Sequence, residues 1–255
     1  MSFNIRYGTA SDGLNAWPNR QEQLIGLIRR HQPDILGLQE ALDFQLREIE
    51  TQFPEYGRVG VGRDDGQSRG EFSAILFRRS RYEVQEQGTF WFSPTPEVPG
   101  STGWGNNITR ICSWARLYDR ELGRSFHVFN VHLDHESAPS REKSAGMLAA
   151  RIAGRGTTDP LIVMGDFNAG EDQVPVQYLL QRVPLTDTFR AIHRDETAVA
   201  TYHAFTGRTE GDRIDHILVS ADWSIRDAGI DRSNEAGRYP SDHYPVHARL
   251  SLSSR

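Results

Sequence analysis

Leu161-Ile162-Val163-Met164-Gly165-Asp166-Phe167-Asn168 is an apolar run that stops on a glycine, a carboxylate and an amide. Four consecutive apolar residues, two of them β-branched, mark a buried strand, and Gly, Asp and Asn supply the turn that ends it. Asp166 and Asn168 stand two apart, so in extended chain both side chains point the same way, one charged and one neutral. Taken alone, the tetrapeptide is equally an ordinary strand-to-turn junction.

The same arrangement recurs along the chain. Ile35-Leu36-Gly37-Leu38 runs into Gln39-Glu40, and Val128-Phe129-Asn130-Val131 runs into His132. Arg213-Ile214-Asp215-His216-Ile217-Leu218 places a carboxylate inside an apolar strand, where it needs a partner such as a histidine. Ser241-Asp242-His243 precedes Tyr244-Pro245-Val246, the start of the last apolar strand. Each has a plain reading: Glu40 beside a helix cap, His132 as a core histidine, Asp242-His243 as a loop cap. Together they predict a rim of oxygens and imidazoles at strand ends, able to hold a hard cation such as Mg²⁺ or Mn²⁺.

The wider chain is consistent with a globular enzyme. Its 255 residues suffice for one large domain with a full core, and one domain over residues 1–255 is expected because no linker or repeat divides it. Net charge is −5, which argues against wrapping along a nucleic-acid backbone. Cys112 is the only cysteine, which excludes a disulfide and a thiolate-rich metal site. Lys143 is the sole lysine, a compositional bias without chemical meaning. No run is long and apolar enough for a membrane span, and the basic-then-apolar pattern of a secretory signal is missing. Met1 stands directly against a strand-like stretch, so the expectation is a soluble protein, cytoplasmic or secreted with a trimmed leader.

Apolar, β-branched runs predict strands at residues 3–6, 35–38, 72–77, 114–118, 126–132, 161–164, 214–219 and 246–250. Helical spacing appears at 21–32, where Leu24, Leu27 and Ile28 share a face, and at 42–53 and 141–154. Pro33 and Pro54 follow the first two helices. Residues 93–107 and 207–213 read as loops.

In order and in content, these motifs resemble the endonuclease/exonuclease/phosphatase superfamily, the DNase I-like group. They are Ser2-Phe3-Asn4-Ile5-Arg6, Leu38-Gln39-Glu40, Asn130-Val131-His132-Leu133, Gly165-Asp166-Phe167-Asn168, Arg213-Ile214-Asp215-His216-Ile217 and Ser241-Asp242-His243. Gly88-Thr89-Phe90-Trp91 is similar to a segment of a bacterial subgroup. The resemblance implies an α/β fold, a four-layer α/β/β/α sandwich of two mixed sheets flanked by helices, with the site at one edge.

The resemblance also implies roles. Glu40, with Asn4 beside it, resembles the metal-binding position, and Asp242 touches the metal. Asp166 is similar to the residue that orients or deprotonates water, and Asn168 to a phosphate-oxygen contact. His243 resembles the imidazole that stabilises the transition state, with Asp215 as its partner. His132 is similar to a second histidine, with Glu71 as its carboxylate, and Arg110 is read as a phosphate clamp, a surface salt bridge being the other reading. The expected activity is hydrolysis of a phosphate mono- or diester with Mg²⁺ or Mn²⁺. The substrate is a small molecule or a nucleic acid, and the protein a monomer. A nuclease is the alternative, a non-catalytic scaffold the third. Trp17, Trp91 and Trp104 read first as core, and as a stacking face if they line the site. Residues 94–107 and 201–213 are expected to choose the substrate.

Overall fold

The computed structural model describes residues 1–252. In chain order the elements are β1 (Ser2–Asn4), a 3-10 turn (Gly13–Asn15), α1 (Trp17–His31), β2 (Ile35–Ala41), α2 (Asp43–Gln52), β3 (Tyr56–Val59), β4 (Phe72–Arg78), β5 (Tyr82–Trp91) and β6 (Ile111–Asp119). There follow β7 (Arg124–His132), α3 (Ala138–Ala153), β8 (Leu161–Asp166), α4 (Val174–Arg182), β9 (Leu185–Asp187), α5 (Thr188–Ile192), β10 (Asp215–Ser220), β11 (Trp223–Ile230) and β12 (Val246–Leu252). The strands form two six-stranded sheets, ordered β11-β12-β1-β2-β4-β3 and β5-β6-β7-β8-β10-β9. Both are mixed, since β1 and β2 pair in parallel, as do β7 and β8, among antiparallel neighbours. This is the DNase I-like α/β class.

Three buried clusters produce the layering. Val59, Ile75 and Phe77 of the first sheet meet Val128, Ile162, Met164 and Ile217 of the second. On the outer side of the second sheet, Leu161 and Val163 pack with Leu148 and Ile152 of α3 and Leu179 of α4. On the outer side of the first, Phe3, Leu36 and Leu38 pack with Leu24 and Ile28 of α1 and Leu46 and Ile49 of α2. Alternate residues of β8 thus enter different clusters. Burial on both faces is why this strand reads as an unbroken apolar run.

Helix ends follow local chemistry. α1 stops at Gln32, which turns left-handed (φ 43°) ahead of Pro33. α3 begins at Ser137, whose hydroxyl accepts from Ser140 N at 3.2 Å, and so starts three residues before the apolar spacing does. Two long strands escape the sequence pattern. β5 and β11 each end a sheet, and Glu83, Gln85, Glu86 and Gln87 of the one and Arg226 and Asp227 of the other face water. Polar edge strands carry little periodicity and resist edge pairing.

Candidate active site

Five strands from the two sheets bring their ends to one edge. On the second sheet His132 of β7 pairs with Asp166 of β8, and Asp166 pairs with Asp215 of β10. Directly paired residues share a face, so one rung carries the His132 imidazole, the Asp166 carboxylate and the Asp215 carboxylate in that order. Across from it, β1 ends at Asn4 and β2 carries Glu40. The Asn4 amide nitrogen donates to Glu40 Oε1 at 3.0 Å and to Asp166 Oδ2 at 2.9 Å. Asn4 therefore ties the sheets together at the site, and its Oδ1 accepts from Arg6 N at 3.0 Å. Its amide acts as a clamp on two carboxylates.

The turn residues do what the sequence asks of them, with strain. Arg6 (φ 55°), Glu40 (φ 58°) and Asn168 (φ 46°) are all left-handed, a region that costs residues with a Cβ about 1–3 kcal/mol each at sites of this kind. Arg6 thereby ends the first strand two residues earlier than its apolar pattern suggests. At Glu40 the twist coincides with a register shift between Leu38 and Ala41, which turns the carboxylate out of the sheet. Asn168 N donates to Asp166 Oδ1 at 2.8 Å, and Asn168 Nδ2 donates to Leu133 O at 2.9 Å.

His243 arrives from the loop before β12. Its Nδ1 lies 2.8 Å from Asp215 Oδ2, and its Nε2 lies 3.9 Å from Asp166 Oδ2. Burial opposes its charge, but Asp215 and Asp166 outweigh that and raise its pKa to about 10, so the ring is cationic at neutral pH. His132 is the opposite case. Its Nε2 is 3.6 Å from Asp166 Oδ2, yet burial and the Arg110 and Arg63 guanidinium groups push its pKa well down. One neutral and one charged imidazole thus flank the same carboxylate.

Arg110 is buried, which removes the surface salt-bridge reading. Its Nη1 lies 2.9 Å from His132 Nε2, its Nη2 2.7 Å from His135 Nδ1, and its Nε donates to Asp134 Oδ2 at 3.4 Å. The donors expected to grip a phosphate are turned toward two histidine rings. Glu71 lies 3.7 Å from His132 Nδ1 but takes a bidentate pair from Arg63 at 2.6 and 2.8 Å. It belongs to this wall through Arg63 more than through the histidine. Trp17 and Trp91 are packing residues, buried, with indole nitrogens on Glu48 Oε2 and Arg63 O. Trp104 packs on the outer cluster of the second sheet.

Residues to which the sequence motifs assign no role also build the site. Buried Arg20 donates to the carbonyls of Ile5, Arg6, Asn15 and Pro240, bracing the loops that carry Asn4 and Asp242. Between the sheets, Asn130 Nδ2 donates to Leu38 O and Ala74 O, and its Oδ1 accepts from Gln39. Arg6 pairs with Asp12 and reaches within 3.8 Å of Asp242 and 4.0 Å of Glu40. Arg20 sits among polar helix residues and Asn130 inside a strand, so spacing alone does not mark either.

The donor set fits a hard divalent cation. Glu40, Asp166, Asp215 and Asp242 bring carboxylates together, and Asp215 Oδ1 is buried without a hydrogen-bond partner among the described residues. Burial, reinforced by Asp215, raises the pKa of Asp166, and burial, with Glu40 adding to it, raises that of Asp242. Added positive charge would relieve both. Asp166, Asp215 and His243 alone bring ligand atoms within 4.8 Å of one another. However, the histidine is bonded to Asp215 and cationic, so oxygens on the Glu40 side suit an ion better. Cys112 is buried in the outer core.

A family model described as "Endonuclease/Exonuclease/phosphatase family" matches residues 1–243. The chain belongs to that family. Its members hydrolyse phosphoester bonds, and several kinds are similar to this chain. A mannosyl-6-phosphatase from Bacteroides thetaiotaomicron is 33% identical, with a TM-score of 0.89 and 98% of each chain covered. An uncharacterized protein of Acanthamoeba polyphaga mimivirus is 31% identical over 67% of this chain and 67% of its own length. Exodeoxyribonuclease III of Haemophilus influenzae is 25% identical over 98% of both. No helix among the described residues is long and apolar enough to cross a membrane.

Proposed function

We propose that this family member is a divalent-cation-dependent hydrolase of small phosphate esters, acting by in-line attack of water. The observation that carries the reading is the Asp166 carboxylate held between a neutral and a cationic imidazole at the joint of the two sheets. A Mg²⁺ or Mn²⁺ ion held by Glu40, with Asp242 and oxygens around Asn4, would polarise the phosphoryl group and offset its developing charge.

The chain's own residues supply the rest. Asp166, with its raised pKa, orients the water and takes its proton. Cationic His243, steadied by Asp215, stabilises charge on the phosphoryl oxygens. Asn168 contacts one of those oxygens. His132, backed by Arg110 and by Glu71 through Arg63, lies on the other side of Asp166. The water oxygen bonds to phosphorus, the ester P–O bond breaks, and the departing alkoxide takes a proton from solvent while Asp166 releases to solvent the proton it gained.

Small esters are preferred because the similar mannosyl-6-phosphatase is 33% identical across nearly the full length and the net charge is −5. A nuclease is the second reading, favoured by the likeness to an exodeoxyribonuclease. The test is a panel of sugar phosphates, phosphodiesters, plasmid DNA and RNA oligomers with Mg²⁺, Mn²⁺ or EDTA. Asp166→Asn should remove hydrolysis while leaving the circular dichroism spectrum intact. Undiminished turnover in EDTA would overturn the cation's role, and turnover of DNA alone would overturn the preference for small esters.

A further inference from the structure

The loop of residues 202–208 carries chemistry that the scheme above leaves idle. Tyr202 pairs with His243 as an antiparallel bridge, and their ring centroids lie 5.1 Å apart. His243 looks inward to Asp166, and Tyr202 is its outward neighbour, 38% exposed. Arg208 returns over this ring, its guanidinium carbon 5.5 Å from the ring centre, with Nε donating to Tyr202 O at 3.3 Å. Arg6, Arg63, Arg190 and Arg213 each face a carboxylate. Among the described residues Arg208 has no carboxylate partner, and neither its terminal nitrogens nor the Tyr202 hydroxyl makes a hydrogen bond.

The backbone beneath this pair is both strained and fixed. Ala204 (φ 49°) and Phe205 (φ 60°) are consecutive left-handed residues with a Cβ, a conformation kept where the surroundings over-determine it and often found at functional sites. His203 N and Ala204 N donate to Asp242 O at 2.8 and 3.1 Å. The Thr206 hydroxyl donates to His203 O at 2.6 Å. A side chain at Gly207 (φ 78°) would strike the Tyr239 hydroxyl at 2.1 Å. The loop is thus bolted to the segment that delivers Asp242 and His243. A phenol and a guanidinium without a carboxylate partner among the described residues thus stand on an anchored backbone, one aromatic ring outward from His243.

An unpaired guanidinium fork matches an anionic oxygen pair in geometry and charge. We propose that Tyr202 and Arg208 form a leaving-group subsite for a second phosphate, carried by the alcohol that hydrolysis releases. The site then selects esters that bear phosphate on both sides of a sugar-sized spacer. This rests on the phosphoesterase reading and narrows its substrate class. A sugar bisphosphate and the next nucleotide of a strand offer the same chemistry.

Kinetics of the Mg²⁺-loaded protein on 4-nitrophenyl phosphate, glucose 1,6-bisphosphate and a terminally phosphorylated thymidine dinucleotide test the proposal. For Arg208→Met, the ratio of kcat/KM for a bisphosphorylated substrate to that for 4-nitrophenyl phosphate should fall about 10-fold, the scale of one charge-assisted contact. The loss should lie in KM and shrink as salt is raised, and Tyr202→Phe should give a smaller change in the same direction. A fall with glucose 1,6-bisphosphate identifies the sugar source, and a fall with the dinucleotide the strand. An unchanged ratio for both would overturn the subsite while leaving the phosphoesterase intact. Native protein inert toward all three would overturn the hydrolase reading and this proposal with it.

Discussion

Asp215 Oδ2 and His243 Nδ1 lie 2.8 Å apart and both side chains are buried, so the carboxylate fixes the tilt and the charge of the ring that faces Asp166. Groups that work as a unit fail as a unit. Asp215→Asn and His243→Ala should each lower kcat on a generic phosphodiester by about 10²–10⁴-fold, and the double variant should be little worse than the poorer single one. Losses that multiply would show that the two act separately.

Asn4 holds Glu40 and Asp166 with one amide group. Loss of a partner that orients metal ligands commonly weakens metal affinity about 10–100-fold. Asn4→Ala should therefore raise the Mn²⁺ concentration at half-saturation by about that factor, measured by isothermal titration calorimetry without substrate. Unaltered Mn²⁺ binding would remove Asn4 from the cation's surroundings.

Gly165 (φ 141°) immediately precedes Asp166, and a Cβ there would stand 2.1 Å from Val131 O. That neighbour is backbone in a paired parallel strand, so it cannot turn aside. Gly165→Ala should lower stability by about 3 kcal/mol and Tm by roughly 6–12 °C for a chain of this size. A thermal melt within a degree or two of native would show that β7 and β8 can part without penalty.

Asp187 supplies the pH dependence. Its Oδ2 accepts from Arg213 Nη2 at 2.6 Å, while its Oδ1 accepts from Phe189 N and Arg190 N at the start of α5. Burial alone would push this carboxyl up, but His216 and Arg213 outweigh it and hold the group below the usual carboxylate range. A depressed folded pKa contributes stability above the unfolded value of about 4, and that contribution is lost as pH falls through the folded value. Asp187→Ala should cost about 1–3 kcal/mol at pH 7 by removing one of the two carboxylates that hold buried Arg213, which keeps Glu171 at 2.8 Å, and the acceptor for the first N–H groups of α5. In urea melts the gap between native and variant should narrow below about pH 4, and a gap constant down to pH 3 would contradict the assignment.

The layers and the rim were legible because the chain writes them in the same place. An apolar run ending on Glu40, His132 or Asp166 states both that a strand is buried and that its end is polar. Asp215 was legible as an anomaly, a charge inside an apolar strand. What spacing could not convey was direction. Arg110 reads as a phosphate clamp or a surface salt bridge, yet the fold turns its donors to His132 and His135. The left-handed turns at Arg6 and Glu40 leave no mark, since neither residue prefers that conformation. β5 and β11 were hidden because a sheet margin tolerates polar residues at positions where an interior strand does not.

The three reversed backbone twists at Arg6, Glu40 and Asn168 set durability against turnover. Glycine would sit in any of them more comfortably, so a search for heat resistance alone would drift toward glycine there and soften the frame that aims the carboxylates. Selection for speed would hold the awkward side chains in place and demand compensation from the packed layers behind. A hardened descendant of this protein that lost those residues would be expected to survive warmer conditions as an idle shell.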